Sequence, residues 1–383
     1  MRVVTCLPRL LAYSDRFRML CALSCKVESL HILTTEQPGS LSELVSANPK
    51  LSLVVLPRKG FNRLAFNWIS ERLRSNDLDI IHDNFGHFAA VFQAWAGSHS
   101  REYRFISTLY TNNWAWFNRV RKPHLDLGWT YVSQRIITLW RDRRICKHAD
   151  RVLVLGPGHE DDLVDGHALD VSRIRWVESE VNIAHFKAVE QEPTQPPTFL
   201  FTGAVCRNKG IDVLLNAFRL LKDRPYRLQL IGRILNWEKT WFADAVKEAD
   251  LGDKLIHVPQ VPGAEMAARY RGVHSLVFPS RFEGSPRSVR EALASGIPAI
   301  VSNIAGHRGL DPHGRFLRFV DSFEPDAWCE AILAAVNESE PQYTARRHLG
   351  VEQMVTFHSF DAVAQRLFHS YKDVLSLPPR SSG

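Results

Sequence analysis

Short, mostly apolar runs recur along this chain and are separated by longer segments with helical spacing. In the first half they fall at Val3–Leu7, Val27–Leu33, Leu51–Leu56, Leu78–His82, Phe105–Leu109 and Arg151–Leu155. Between them, Phe17–Leu23 and Phe61–Leu73 repeat apolar residues at helical intervals, with Leu64, Ile69 and Leu73 on or near one face. Strands that are apolar on both faces and alternate with helices predict a parallel sheet covered on each side, an α/β architecture.

The pattern stops and restarts. Glu190–Pro197 carries Pro193, Pro196 and Pro197, which continue neither a helix nor a central strand. Further strands are predicted at Thr198–Thr202, Arg227–Ile231, Leu255–Val258, Ser275–Phe278 and Ala299–Val301. A closing helix is predicted over 360–375, with Val363, Leu367, Phe368, Tyr371 and Leu375 mostly on one face. The 383 residues therefore divide into domains at 1–187 and 198–359, a linker at 188–197 and a terminal helix at 360–377.

Composition narrows the function class. No run approaches the roughly 18 apolar residues of a membrane span. Arg2, Arg9, Asp15, Arg16 and Arg18 interrupt any secretory core. A cytoplasmic protein, or one peripheral on the cytoplasmic membrane face, is expected. The six cysteines show no zinc-ligand spacing. Cys21 and Cys25 lie one helical turn apart, which suits two small apolar residues better than a metal or redox pair. No HxxxH pair or other metal motif appears among the 16 histidines, so no metal and no cofactor is expected. The net charge of +7 is concentrated: residues 101–151 hold eleven Lys and Arg against four acids, with many aromatics. Such a stretch suits an anionic membrane surface or a lipid-linked acceptor; it carries no nucleic-acid-binding module, and no nucleic-acid partner is expected.

Three loops in the second half carry chemistry. In Gly203-Ala204-Val205-Cys206-Arg207-Asn208-Lys209-Gly210, two cations precede a helix. Amide dipoles and an ammonium together suit a diphosphate. In Pro279-Ser280-Arg281-Phe282-Glu283-Gly284-Ser285-Pro286-Arg287-Ser288, an apolar strand enters a polar loop and then a helix. Pro286 suits the first helical turn, and the amides of 285–289 can hold phosphate oxygens. Glu283 in the loop and Glu291 in the helix can each accept two sugar hydroxyls. The third loop, Ala294–Ser302, caps that helix at Gly296.

In this order and at this spacing, the loops resemble the retaining GT-B glycosyltransferases of glycosyltransferase family 4, the group 1 transferases. The resemblance is strongest over residues 198–310. It rests on the Gly203…Lys209-Gly210 loop, Leu230-Ile231-Gly232, Pro279-Ser280-x-x-Glu283-Gly284, and the string Glu291–Pro298. It implies two Rossmann-like domains with a donor cleft between them, and transfer of a sugar from a nucleoside-diphosphate sugar to a glycan or lipid-linked hydroxyl acceptor. Polysaccharide or lipopolysaccharide biosynthesis is the expected setting.

By the same resemblance, Glu283 contacts the transferred sugar and Glu291 the ribose. Lys209, with Arg207, holds the diphosphate, and Gly203, Gly232, Gly284, Ser285, Pro286, Arg287 and Ser288 complete the donor site. His82, Tyr110 and Asn112 fall on the acceptor side. The chain departs from the family pattern at Ala204, where an Arg is usual, and at Gly306-His307-Arg308-Gly309, which lacks a Glu. A sugar-nucleotide epimerase, a phosphorylase and a non-catalytic scaffold remain alternatives on the same fold.

Overall fold

The computed structural model describes residues 1–84, 103–109, 129–187 and 194–378. It divides into one unit formed by 1–180 with 360–383 and a second formed by 181–359.

The first unit is a seven-stranded parallel sheet. Its strands are β1 (Arg2–Cys6), β2 (Ser29–Thr34), β3 (Leu51–Val55), β4 (Ile80–Asp83), β5 (Arg104–Leu109), β6 (Arg151–Val154) and β7 (Ile174–Trp176). The order is β3-β2-β1-β4-β5-β6-β7. Successive side chains point to opposite faces, so Val3 and Val4 enter different cores. On one face Val3, Ile32 and Ile80 meet Phe17 and Leu20 of α1 (Ser14–Ser24). On the other, Val4, Leu33 and Ile81 meet Ala65 and Ile69 of α3 (Phe61–Arg74), which follows the short α2 (Ser42–Ser46). Among the described residues, this part of the chain also holds α4 (Trp129–His148) and α5 (Pro157–His167).

The second unit is a six-stranded parallel sheet ordered β10-β9-β8-β11-β12-β13. Its strands are β8 (Thr198–Thr202), β9 (Arg227–Ile231), β10 (Leu255–Val258), β11 (Ser275–Phe278), β12 (Ala299–Ser302) and β13 (Leu317–Val320). In order along the chain its helices are α6 (Ile211–Leu220), α7 (Lys239–Ala249), α8 (Met266–Arg269), α9 (Arg287–Ala294), α10 (Ala305–Arg308), α11 (Pro325–Val336) and α12 (Glu340–His358). One core joins them, with Phe199, Phe201, Leu276, Val277 and Ile300 against Leu214, Phe218, Leu293 and Trp328.

The boundary falls at 180/181, seven residues before the expected 187/188. Val181 and Phe186 are buried in the second core, and the Val181 amide donates to His358 O at 2.8 Å. Residues 188–193 of the expected linker lie outside the described residues. The closing helix, α13 (Phe360–Leu375), belongs to the first unit, where Val363, Leu367, Tyr371 and Val374 are fully buried. Sequence spacing missed β7 and β13. The first is three residues long and buries only Ile174; the second lies at a sheet edge and buries only its two ends.

Among the described residues, no helix is long and apolar enough to cross a membrane. Cys21 is buried and Cys25 exposed, and burial pushes the Cys21 thiol up to about 12. A buried, protonated thiol is a weak nucleophile.

Candidate functional site

In the second sheet, β8 and β11 are neighbours, and the order of strands reverses between them. Loops leaving two such strands diverge to opposite faces and open a crevice at their carboxyl ends. The two expected cation- and carboxylate-bearing loops are the ones that leave β8 and β11.

After β8, the chain turns at Gly203, whose amide donates to Ile231 O at 2.9 Å. Gly232, at the end of β9, packs against it: a Cβ on Gly232 would fall 1.7 Å from Gly203 O, and its φ is +150°. Glycine is required there because two backbones touch. A single helical turn, Arg207–Lys209, then leads into α6. After β11, residues 279–286 lead to α9.

The two loops are stapled together. Arg281 donates through both terminal nitrogens to Asp212, each at 2.8 Å, and also to Arg207 O. Its amide donates to Asn208 O at 3.0 Å. A two-pronged guanidinium–carboxylate pair fixes orientation as well as distance. It holds the loops so that Lys209 Nζ donates to Glu283 Oε1. Both groups are largely enclosed, the Glu283 side chain being 12% exposed and that of Lys209 24%.

Arg207, the second expected diphosphate cation, points elsewhere. Its Nε donates to Glu238 at 2.9 Å, and its guanidinium lies 5.3 Å from the centre of the Trp241 ring. Glu238 is buried, so it holds Arg207 as the partner of an enclosed carboxylate.

Glu291 lies on the inner side of α9. The Tyr270 hydroxyl reaches its Oε2 at 3.2 Å, and Arg287 Nε is 3.9 Å from Oε1. Burial, then the nearby Glu291 charge, pushes the Tyr270 phenol well above its ordinary range, so it stays a donor. Pro286 precedes α9 rather than opening its first turn, and its carbonyl accepts from the Arg290 amide at 3.3 Å. Ser288 Oγ donates to Thr202 O at 2.7 Å, tying α9 to the end of β8. Arg290 donates to Ser285 Oγ. Gly284 lies in the connecting turn between Glu283 and α9. The expected donor residues therefore converge on one mouth, with Arg207 at its edge. Asp212, Glu238, Tyr270 and Arg281 were missed; Asp212 and Arg281 are 69 positions apart, and no local spacing links them.

His82 is the one described residue of those expected on the acceptor side. It is fully buried in β4, with Nδ1 2.7 Å from Tyr371 Oη and Nε2 2.7 Å from Thr108 Oγ1. Burial, with Arg16 nearby, lowers its pKa to about 3. As part of a central strand it faces the side covered by α13, and both nitrogens are already bonded. Tyr110 and Asn112 lie outside the described residues, as do 85–102 and 110–128 of the basic, aromatic segment and its flank.

Two doubly wound parallel sheets are the GT-B glycosyltransferase architecture, and solved structures share it. Sucrose-phosphate synthase from Thermosynechococcus elongatus matches with a TM-score of 0.74 at 18% identity, covering 98% of this chain and 99% of that one. HepE from Anabaena, solved in complex with UDP and glucose, matches with a TM-score of 0.69 at 11% identity, covering 97% of this chain and 100% of that one. Residues 182–364, a little under half of the chain, match the family described as glycosyl transferases group 1. Among curated relatives, the D-inositol 3-phosphate glycosyltransferase of Pseudarthrobacter chlorophenolicus is 28% identical over 209 residues, 51% of this chain and 50% of the relative. The matched stretch spans about half the length of that relative and of the next.

Proposed function

We propose that this protein transfers a sugar from a nucleoside-diphosphate sugar to a hydroxyl acceptor with retained anomeric configuration and without a metal ion. The observation that carries this reading is the Lys209–Glu283 pair at the β8/β11 crevice, with Glu291 on the adjoining helix. Bond cleavage at the sugar leaves negative charge on the diphosphate and positive character on the ring. Lys209 and the amides of 285–289 stabilise the first, and fixed cations perform there what a metal would otherwise do. Glu283 accepts hydrogen bonds from the sugar hydroxyls, and Glu291, steadied by Tyr270, from the ribose.

A glycan or lipid-linked acceptor at the cytoplasmic membrane face fits the basic stretch. On α4, Ile136 and Trp140 are 56% and 52% exposed, beside the exposed Arg143, Arg144 and Lys147. Interfacial tryptophan and surface cations suit anionic lipid.

A thermal-shift screen against uridine, guanosine and adenosine diphosphate sugars tests the donor class, since a bound ligand raises stability by mass action. Transfer with the responding donor, followed by NMR of the new linkage with and without EDTA, tests the rest. Absence of any shift, an inverted anomer, or loss of transfer with EDTA would each overturn the corresponding part. Products formed from the donor alone would indicate an epimerase.

A further inference from the structure

Beneath the Glu283 loop lies a residue with no place in the reading above. His307, in the short α10, is fully buried. Its Nδ1 is 2.7 Å from Ser302 O, and a carbonyl only accepts, so Nδ1 carries the proton. Its Nε2 is buried and has no hydrogen-bond partner among the described residues. A buried polar atom left unpaired costs free energy and calls for a reason.

The hydrogen bonds around it supply one. Ser302 Oγ lies 3.4 Å from the same Nδ1 and donates to Ser280 O, and Ser280 Oγ donates to Phe282 O at 3.1 Å. A continuous series of bonds thus runs from α10 to the residue before Glu283. The neighbouring backbone adds a steric floor: a Cβ on Gly306 would lie 2.1 Å from Glu283 O. The Phe278 ring meets the imidazole edge-on at 5.8 Å.

We propose that His307 is a positioning residue for Glu283, holding the Ser280–Glu283 backbone through Ser302 as a neutral imidazole protonated on Nδ1. The inference rests on the reading that Glu283 meets the transferred sugar. The unpaired Nε2 fits this role. A second proton there would place a cation without an acceptor beneath the Lys209–Glu283 pair. Burial accordingly lowers the His307 pKa to about 4, with Lys209 adding in the same direction and Glu283 opposing.

The test compares His307→Leu, which removes the Nδ1 donor, with His307→Asn, whose amide NH₂ can reproduce it. The expected result for His307→Leu is a kcat lower by about 10- to 100-fold, the scale on which small misplacements act. Its donor KM and nucleoside-diphosphate Kd stay within about twofold, because Lys209 is untouched. His307→Asn recovers most of the loss. Unchanged kcat in His307→Leu, or equal impairment in both variants, overturns the proposal.

A second arm needs no donor. Crystal structures of the two variants should show the Ser280–Glu283 backbone displaced in His307→Leu and retained in His307→Asn; an unmoved backbone in His307→Leu overturns the inference by itself. If the wild-type protein binds no nucleoside diphosphate or its sugars, the transferase reading falls, and this arm still decides the role of His307.

Discussion

Lys209 Nζ donates directly to Glu283 Oε1, so the cation and the carboxylate that the proposed reading assigns to the donor neutralise each other. On that reading, a donor entering this crevice would exchange that pair for two new ones: phosphate oxygens for Lys209 and sugar hydroxyls for Glu283. Neither charge is left unpaired on either side of the exchange, which keeps the desolvation cost low.

Glu283→Gln is expected to abolish transfer while the protein stays folded. The amide keeps the shape but loses the charge and one acceptor. Lys209→Ala should weaken donor binding by about 1.5–3 kcal/mol, the range for a hydrogen bond to a charged group. Near-normal turnover by Glu283→Gln, with circular dichroism matching wild type, would rule out the assigned role.

Arg207→Ala should weaken the donor less than Lys209→Ala, because Arg207 is already committed to Glu238 at 2.9 Å. Its larger effect should be on stability, since the buried Glu238 carboxylate loses its partner. Calorimetric titration of both variants with the same nucleotide ranks them. A greater affinity loss for Arg207→Ala would show that the diphosphate draws Arg207 away from Glu238.

His82→Ala is expected to destabilise the protein by about 3 kcal/mol, combining a cavity with two stranded hydroxyls, those of Tyr371 and Thr108. Acceptor KM should be unchanged in the folded fraction. Denaturant unfolding gives the first quantity and steady-state kinetics the second; a raised acceptor KM with unaltered stability would restore His82 to the acceptor site.

Thermal stability should fall as pH drops from about 6.5 toward 4. Burial lowers His82 to about 3 and His307 to about 4, and it also lowers His31, His167 and His274. In the unfolded chain these rings titrate near 6.5. Between the two values the unfolded state binds more protons, so acid favours unfolding and neutral pH favours the fold. Scanning calorimetry across this range should show a descending Tm, shallower in His307→Leu. A flat profile would mean that these histidines titrate in the folded state as they do in water.

Local spacing alone determined much of this protein. Eleven of the thirteen strands among the described residues follow from apolar runs, because a strand inside a covered parallel sheet must be apolar on both faces, as Val3-Val4 and Leu276-Val277 are. Lys209, Glu283 and Glu291 were legible because each sits in a loop or first turns directly after such a run, where position along the chain fixes position at the mouth. Tertiary structure alone decided the rest. Arg281 finds Asp212, Arg207 turns to Glu238, Tyr270 reaches Glu291, and His307 underlies Glu283 across distances in sequence that no periodicity encodes. The same holds for His82, whose place at the end of an apolar run reads equally as a site residue or a core residue. Whether a polar side chain at a strand end faces solvent or a packed helix depends on what covers it, and here the cover is α13, almost three hundred positions further along the chain.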